Sequence, residues 1–300
     1  MLHTRPTKQE ISIVLVTYNS EAIIKNFLLQ NQLQDHKNII VVDNASRDET
    51  VSLIKKIRSD VLVIQSKQNI GFGSAVNLGL ASNKSEYALV INPDTFLSTS
   101  FFTDLHAGVL RNAKAGLIAP TIVNDIYFFK SIPPISEFQK HLNYKQQLKA
   151  CDQFVDFISG ACFLVKPSLF KDGKIFDENI FMFYEDNDLS EQITLMGLDK
   201  IILSDCFIYH QGESSSSPTP FITKLKNFHY GWSESYFTEK YQSSKVAKWK
   251  NFLSAIKYFK RTVLFLATLN INRLIPSWYR LKGKISFMRD KKAQDIKEHF

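Results

Sequence analysis

Three carboxylates fall within four residues, Glu185, Asp186 and Asp188, directly behind the apolar run Phe181, Met182, Phe183 and Tyr184. Acids at the start of a helix favour the macrodipole, which alone accounts for one or two of them. It does not account for their delivery by an apolar run, where a carboxyl can have its pKa raised toward that of a useful base. Two other residues suit metal chemistry. Asp94 stands behind the rigid Pro93 and would be a hard oxygen ligand for Mg2+ or Mn2+. His210, ending an apolar run, is a candidate second ligand, although Asp after Pro is a common turn and a lone His is more often structural. A base, together with a divalent ion able to neutralise a departing diphosphate, meets two needs of group transfer from a nucleoside diphosphate, glycosyl transfer included.

The elements that must position these groups follow from apolar periodicity. Residues 11–17 (ISIVLVT) read as a buried strand running into Tyr18-Asn19-Ser20, and Ser20 is expected to cap a helix from near Glu21 with Ile23, Ile24, Phe27 and Leu28 on one face. Residues 38–43 form a second strand, followed by a helix from about Asp48 with Val51, Leu53, Ile54 and Ile57 inward. A third strand at 61–65, a glycine-bearing turn at 69–73, a helix at 74–80 and a fourth strand at 87–91 complete the pattern. Such alternation predicts a parallel α/β sheet covered on both faces. Its ligands sit beyond the carboxyl ends of the strands, where Thr17-Tyr18-Asn19, Asp43-Asn44 and Asn92-Pro93-Asp94 fall. One strand ending in Asp or Asn is ordinary turn chemistry; three on one rim are not.

Further along, helices are expected at 101–110 and 189–196, and strands at 116–119, 156–165 and 201–209, the last ending in His210. The aromatic, basic stretch 124–149 suits an acceptor-side loop or a plain surface excursion, and 214–220 reads as a mobile loop. The 300 residues carry a net charge of +8, unevenly placed: 221–300 hold 17 Lys/Arg against 5 Asp/Glu, leaving 1–220 slightly acidic. This gives a catalytic body at 1–220 and a basic, aromatic helical region at 221–300. Three cysteines without a CxxC pair fit a reduced, cytosolic setting with buried thiols, and the polar N-terminus reads as no secretory signal.

Seven segments in order carry a resemblance to a known family: IVLVTYNS (13–20), VVDNASRDET (41–50), NIGFGSAVNLGL (69–80), INPDTFL (91–97), SGACFLVKPSLF (159–170), FDENIFMFYEDNDLSEQI (176–193) and YHQGES (209–214). The chain resembles the family-2 inverting glycosyltransferases of the GT-A fold, nearest their bacterial rhamnosyltransferase-like branch. That resemblance implies a Rossmann-like, mostly parallel sheet flanked by helices, here with a C-terminal basic helical appendage. It implies that Thr17, Asn19 and Asp43 hold the nucleotide, with Asn69 and Gly71 along the nucleoside and diphosphate side. Asn92 and Asp94 stand at the family's acidic metal motif. Its first acid is Asn here, so Asp94 carries the expected ligation together with His210. Asp186 matches the catalytic base, Glu185 and Asp188 support the site or contact the acceptor, and Gly160 lets the backbone approach the donor sugar. The implied reaction is one inverting displacement, from a dTDP- or UDP-sugar to an acceptor hydroxyl in cell-surface polysaccharide (O-antigen, capsule or lipopolysaccharide) synthesis. Rhamnose is the first expectation; galactosyl, glucosyl or N-acetylhexosaminyl transfer and a non-catalytic nucleotide-sugar-binding protein are the alternatives.

Other readings fail on the residues. The turn at 69–73 lacks GxGxxG and follows the third strand, and no P-loop is present. A glycosidase could use paired acids but not the nucleotide rim. The basic region shows no nucleic-acid motif, so no nucleic-acid partner is expected. Its composition fits helices lying on an anionic membrane, and equally a helical subdomain with a solvated basic face. A cytoplasmic enzyme, peripheral on the inner face of the cell membrane and acting on a lipid-linked saccharide, is the combined expectation.

Overall fold

The computed structural model describes residues 11–123, 151–212, 219–289 and 292–293. The expectations for 124–149 and for most of 214–220 lie outside these residues. The chain divides into two compact units: the first from Met1–Asn69, Ala75–Ile175 and Leu189–Ser216, the second from Ile70–Ser74, Phe176–Asp188 and Ser217–Phe300.

The first unit is built on a mixed sheet. Its strands are β1 (Ile11–Thr17), β2 (Ile39–Asp43), β3 (Leu62–Gln65), β4 (Tyr87–Ile91), β5 (Thr95–Leu97), β6 (Ala115–Val123), β7 (Gln153–Phe154), β8 (Cys162–Val165) and β9 (Asp199–His210). They run in the order β3-β2-β1-β4-β8-β6-β9-β5, with β7 also on β9. The first four pair in parallel, joined by α1 (Glu21–Leu28), α2 (Asn31–Gln34), α3 (Thr50–Ile57) and α4 (Phe72–Leu80). The second half is bound in through antiparallel pairs of β8 with β4 and β6 and of β5 with β9, while β6 and β9 run parallel. α5 (Phe101–Arg111) follows β5.

Packing explains the register. Ile13, Leu15, Val41, Leu89 and Ile91 bury one sheet face against Ile24, Phe27, Leu28 and Ile54 of the helices. Val14 and Val42 point to the other face, where they meet Gly79 of α4. Each fully buried Ile or Leu contributes about 1.5–3 kcal/mol, so a slip of the sheet register would forfeit several such terms at once. Ile23, Ile24, Phe27 and Leu28 are the buried face of α1, as its spacing predicts, and β4 spans the expected 87–91.

Three local expectations are corrected. Ser20 makes no side-chain cap on α1: its backbone carbonyl accepts from Ile23 and Ile24, while its hydroxyl accepts from the Tyr18 amide at 3.2 Å. The strand expected at 156–165 is ordered as β only from Cys162. The Ile158 amide donates to Ser190 Oγ instead of a ladder neighbour, and a turn intervenes at Gly160. The helix expected at 189–196 begins earlier, as α6 (Glu185–Leu195), so all three acids lie in its first turn. Cys162 and Cys206 are buried, but Cys151 is exposed.

In the second unit, α7 (Pro220–Tyr241) starts with Thr219 Oγ1 accepting from the Ile222 amide and Pro220 in the first turn. α8 (Ser244–Ala267) and α9 (Ile271–Met288) follow. α7 and α9 cross where Gly231 meets the Arg280 carbonyl and Gly283 meets that of Phe228; a Cβ at either glycine would collide with backbone. Around this crossing Phe181, Phe228 and Trp232 form a core, with Tyr236, Tyr279 and Phe287 packed on it. Among the described residues no helix is long and apolar enough to cross a membrane.

Candidate active site

In the first unit, parallel pairing brings three strand ends to one edge. Thr17 lies opposite Asp43 and Leu15 opposite Ile91, so residues following β1, β2 and β4 emerge on a common rim. The buried Asp43 carboxylate is held from two sides: Thr17 Oγ1 donates to Oδ1 at 3.1 Å, and Ser46 donates its hydroxyl at 2.5 Å and its amide at 3.0 Å. Ser46 stands within the 41–50 segment, but nothing in its type or spacing marks it as a partner of Asp43. Asn19 adopts a left-handed φ of 50°, which Asn tolerates better than most residues. Its amide donates to Ser46 Oγ and its Oδ1 accepts from the Arg47 amide, both at 2.9 Å, so it ties the end of β1 to the loop after β2. Asn69 accepts from Asn44 Nδ2 at 3.0 Å, and the Asn44 amide donates to the Thr17 carbonyl. Thr17, Asn19, Asp43 and Asn69 therefore belong to one hydrogen-bonded rim.

Asp94 and His210 meet on the same unit. β5 and β9 are antiparallel with Thr95 opposite His210, and the Gln211 amide donates to the Asp94 carbonyl at 3.0 Å. Asp94 is 3% exposed, and His210 Nε2 lies 3.2 Å from its Oδ1. Their alignment is not that of a hydrogen bond. Oδ1 is enclosed and has no hydrogen-bond partner among the described residues. A buried carboxylate oxygen left unsatisfied is costly, and an imidazole nitrogen facing it makes a pair of electron-pair donors converging on one place. That donor set fits Mg2+ or Mn2+. Among the described residues no three His, Cys, Asp or Glu side chains gather as a complete cage. Ions of this kind are held by one or two protein ligands plus substrate phosphates, so two suffice. Asn92 contributes its backbone: its amide donates to the Ala161 carbonyl at 2.9 Å and its carbonyl accepts from Thr95 Oγ1 at 2.7 Å. The turn bearing Gly160 thus lies alongside the end of β4.

The second unit holds the acids. Phe183 and Tyr184, immediately before them, have φ of 65° and 66°. Two successive non-glycine residues in the left-handed region cost about 1–2 kcal/mol each and persist only where packing dictates them. Here Tyr230 packs against both rings, Phe237 lies 5.5 Å from Tyr184, and Ser233 Oγ donates to the Met182 carbonyl. Sequence patterning gave no sign of this strain. Glu185 retains some surface exposure, yet its Oε2 is fully enclosed without a hydrogen bond. Burial, then the neighbouring Asp186 charge, pushes its carboxyl up to about 8. Asp186 Oδ1 accepts from the Asn187 amide at 3.0 Å.

Asp188 is fully buried and already committed: Lys240 Nζ lies 2.6 Å from Oδ1, and Tyr241 donates its hydroxyl at 2.8 Å. Lys240 also contacts Asp177 at 2.8 Å, and Tyr236 donates to that carboxylate. Burial opposes the Lys240 charge, but Asp177 and Asp188 outweigh it and hold its pKa above the ordinary lysine value. Lys240 is one of 17 basic residues in its region, and its sequence context does not mark it. Gly71 has φ of 87°, and a Cβ there would sit on the Phe181 carbonyl oxygen. Its glycine character is thus required by the chain itself.

The model of glycosyl transferase family 2 matches residues 12–173. Over 241 residues the chain is 25% identical to the N-acetylglucosaminyl-diphospho-decaprenol L-rhamnosyltransferase of Mycobacterium tuberculosis, covering 70% of this chain and 78% of that protein. It is 26% identical over 186 residues to the low-salt glycan biosynthesis hexosyltransferase Agl10 of Haloferax volcanii, covering 59% of each. Among solved structures, the mannosyltransferase PcManGT of Pyrobaculum calidifontis, in complex with GDP-Man and Mn2+, superposes with a TM-score of 0.57 at 14% identity over 94% of this chain and 88% of that one. TarS 1-349 of S. aureus in complex with UDP-GlcNAc gives 0.52 at 17% identity, over 94% and 92%. At such identities the likeness is one of fold, the GT-A fold.

Proposed function

Because the chain belongs to glycosyltransferase family 2 and is a glycosyltransferase of the GT-A fold, we propose that it transfers L-rhamnose from a dTDP- or UDP-linked donor to a hydroxyl of a lipid-linked saccharide during cell-surface polysaccharide synthesis. The observation that carries the transfer chemistry is the buried, unsatisfied Asp94 Oδ1 facing His210 Nε2 on the strand-end rim. The likeness to the mycobacterial rhamnosyltransferase, extending over 70% of this chain, favours the sugar.

In this reading Asp43, fixed by Thr17 and Ser46, offers a carboxylate to the N3–H of uracil or thymine. Asn19 and Asn69 shape the rim around the nucleoside, and the turns bearing Gly71 and Gly160 border the diphosphate and sugar. Asp94 and His210 hold a divalent ion, which when bound neutralises the charge developing on the leaving diphosphate. Asn92 orients that pair through its backbone. Asp186 takes the acceptor proton as the acceptor oxygen forms its bond to the anomeric carbon, the bond to the diphosphate breaks and the configuration inverts. Glu185 and Asp188 support this base, Asp188 by anchoring the first turn of α6 to Lys240. The basic region 221–300 contacts the membrane that carries the acceptor lipid, on its cytoplasmic face.

The test is donor turnover and transfer across UDP-, dTDP- and GDP-sugars, with Mn2+, Mg2+ or EDTA. Consumption of dTDP-rhamnose that stops in EDTA, with an inverted product, is the expected result. Turnover undiminished by EDTA would remove the metal assignment, and preference for another sugar would remove rhamnose.

A further inference from the structure

α8 has two apolar faces, and only one is used. Ala247, Asn251, Ala255 and Tyr258 form its buried face. Outside that face Trp249, Phe252, Leu253, Phe259, Val263 and Leu266 fall on one broad side of the helix, each 46–61% exposed. At 1.5 Å per residue the stripe runs about 25 Å along the helix. It is continued at the corner before α9 by Leu269, 82% exposed, and Ile271. Soluble surfaces rarely leave so long an apolar line bare unless something covers it.

The charge around the stripe selects the cover. From Ser244 to Arg289 the chain has 11 Lys or Arg and no Asp or Glu. Lys248, Lys257, Lys260 and Arg261 are exposed, and none has a carboxylate partner among the described residues. A second copy laid stripe to stripe would bring two such fields together, so self-association is disfavoured. An anionic bilayer matches both features, acyl chains for the rings and headgroup charge for the lysines.

We propose that the outer face of α8 lies in the plane of an anionic membrane, with Trp249, Phe252, Phe259 and Val263 inserted at the headgroup–acyl boundary. This makes specific the membrane contact proposed for 221–300, and it is independent of which sugar the enzyme transfers.

The experiment is sedimentation of the full chain with phosphatidylcholine vesicles, with or without phosphatidylglycerol, read together with tryptophan emission. Binding to the anionic vesicles alone, weakened by salt, with an emission blue shift absent in Trp249→Phe, is expected. A Trp249→Ser, Phe259→Ser, Val263→Ser variant should bind at least about tenfold more weakly, with unchanged circular dichroism and unchanged donor hydrolysis. Vesicle binding equal to the parent's in that variant overturns the proposal. So does a lipid-free dimer that the variant turns into a monomer, since the stripe would then be a contact between copies. Failure of the sugar-transfer reading looks different: vesicle binding intact and no donor consumed.

Discussion

Asp94 and Asp188 are both buried aspartates, and they are treated in opposite ways. On the strand-end rim, Asp94 keeps an enclosed oxygen with no hydrogen bond and an imidazole nitrogen beside it. At the start of α6, Asp188 is neutralised by Lys240 and receives the Tyr241 hydroxyl. A satisfied buried carboxylate is fastening. An unsatisfied one is a cost to the fold that a bound ligand would offset. The acidic run is thus divided within itself, between Asp188, which anchors the helix, and Glu185, whose enclosed oxygen has no hydrogen bond among the described residues.

The sharpest test is Asp186→Asn, which should lower transfer by about 10²–10⁴-fold while leaving the melting temperature within error. Transfer near the parent's rate would move the base elsewhere in the run. Next, Asp94→Asn should reduce metal-dependent transfer by about 10²-fold, measured against a Mn2+ titration. In EDTA the same variant should melt at or above the parent's temperature, because the charge on an enclosed oxygen without a hydrogen bond has been removed. A clear loss of stability there would break the contrast with Asp188. Asp188→Asn should do the reverse. It should cost about 1–3 kcal/mol by denaturant titration, the half-exposed Lys240 escaping to water, and leave kcat within tenfold.

Much of the rim was legible in the sequence because its strands are continuous β-branched runs stopped by polar residues: Thr17, Asp43 and Asn92 could be placed from pattern alone. Asp94 and His210 were legible as candidate ligands of one ion, but the pairing that brings them together was not. They are brought together by β5, three residues long and too short to show a period. The 156–165 strand was over-read because an apolar run does not reveal that Ile158 bonds sideways to Ser190. Lys240 lies more than fifty residues beyond Asp188, and long-range pairing of that kind leaves no local mark. The left-handed pair Phe183 and Tyr184 is likewise a product of tertiary packing against α7.

The smallest effect concerns Glu185. Its carboxyl is raised from 4.5 to about 8, so its burial is harmless at low pH, where it is protonated both folded and unfolded. The cost grows as pH rises between those values and is complete above the folded value. Glu185→Gln should therefore melt like the parent near pH 4 and several degrees higher near pH 9, by calorimetry across pH. A parallel pair of pH curves would mean that the carboxyl is not shielded.

That shielding bears on what can approach. Read as letters, the stretch from Asp177 to Asp188 looks like a strongly repulsive surface. In the folded chain burial pushes the Glu185 carboxyl up to about 8, which favours its neutral form, and Lys240 sits between the two aspartates that flank the run. The electrostatic field is weaker than the composition suggests, with Glu178 and Asp186 keeping the stretch acidic. A phosphate-bearing acceptor would meet less long-range repulsion there than five bare carboxylates would give, and the gap in encounter rate between anionic and neutral acceptors should narrow further as ionic strength rises.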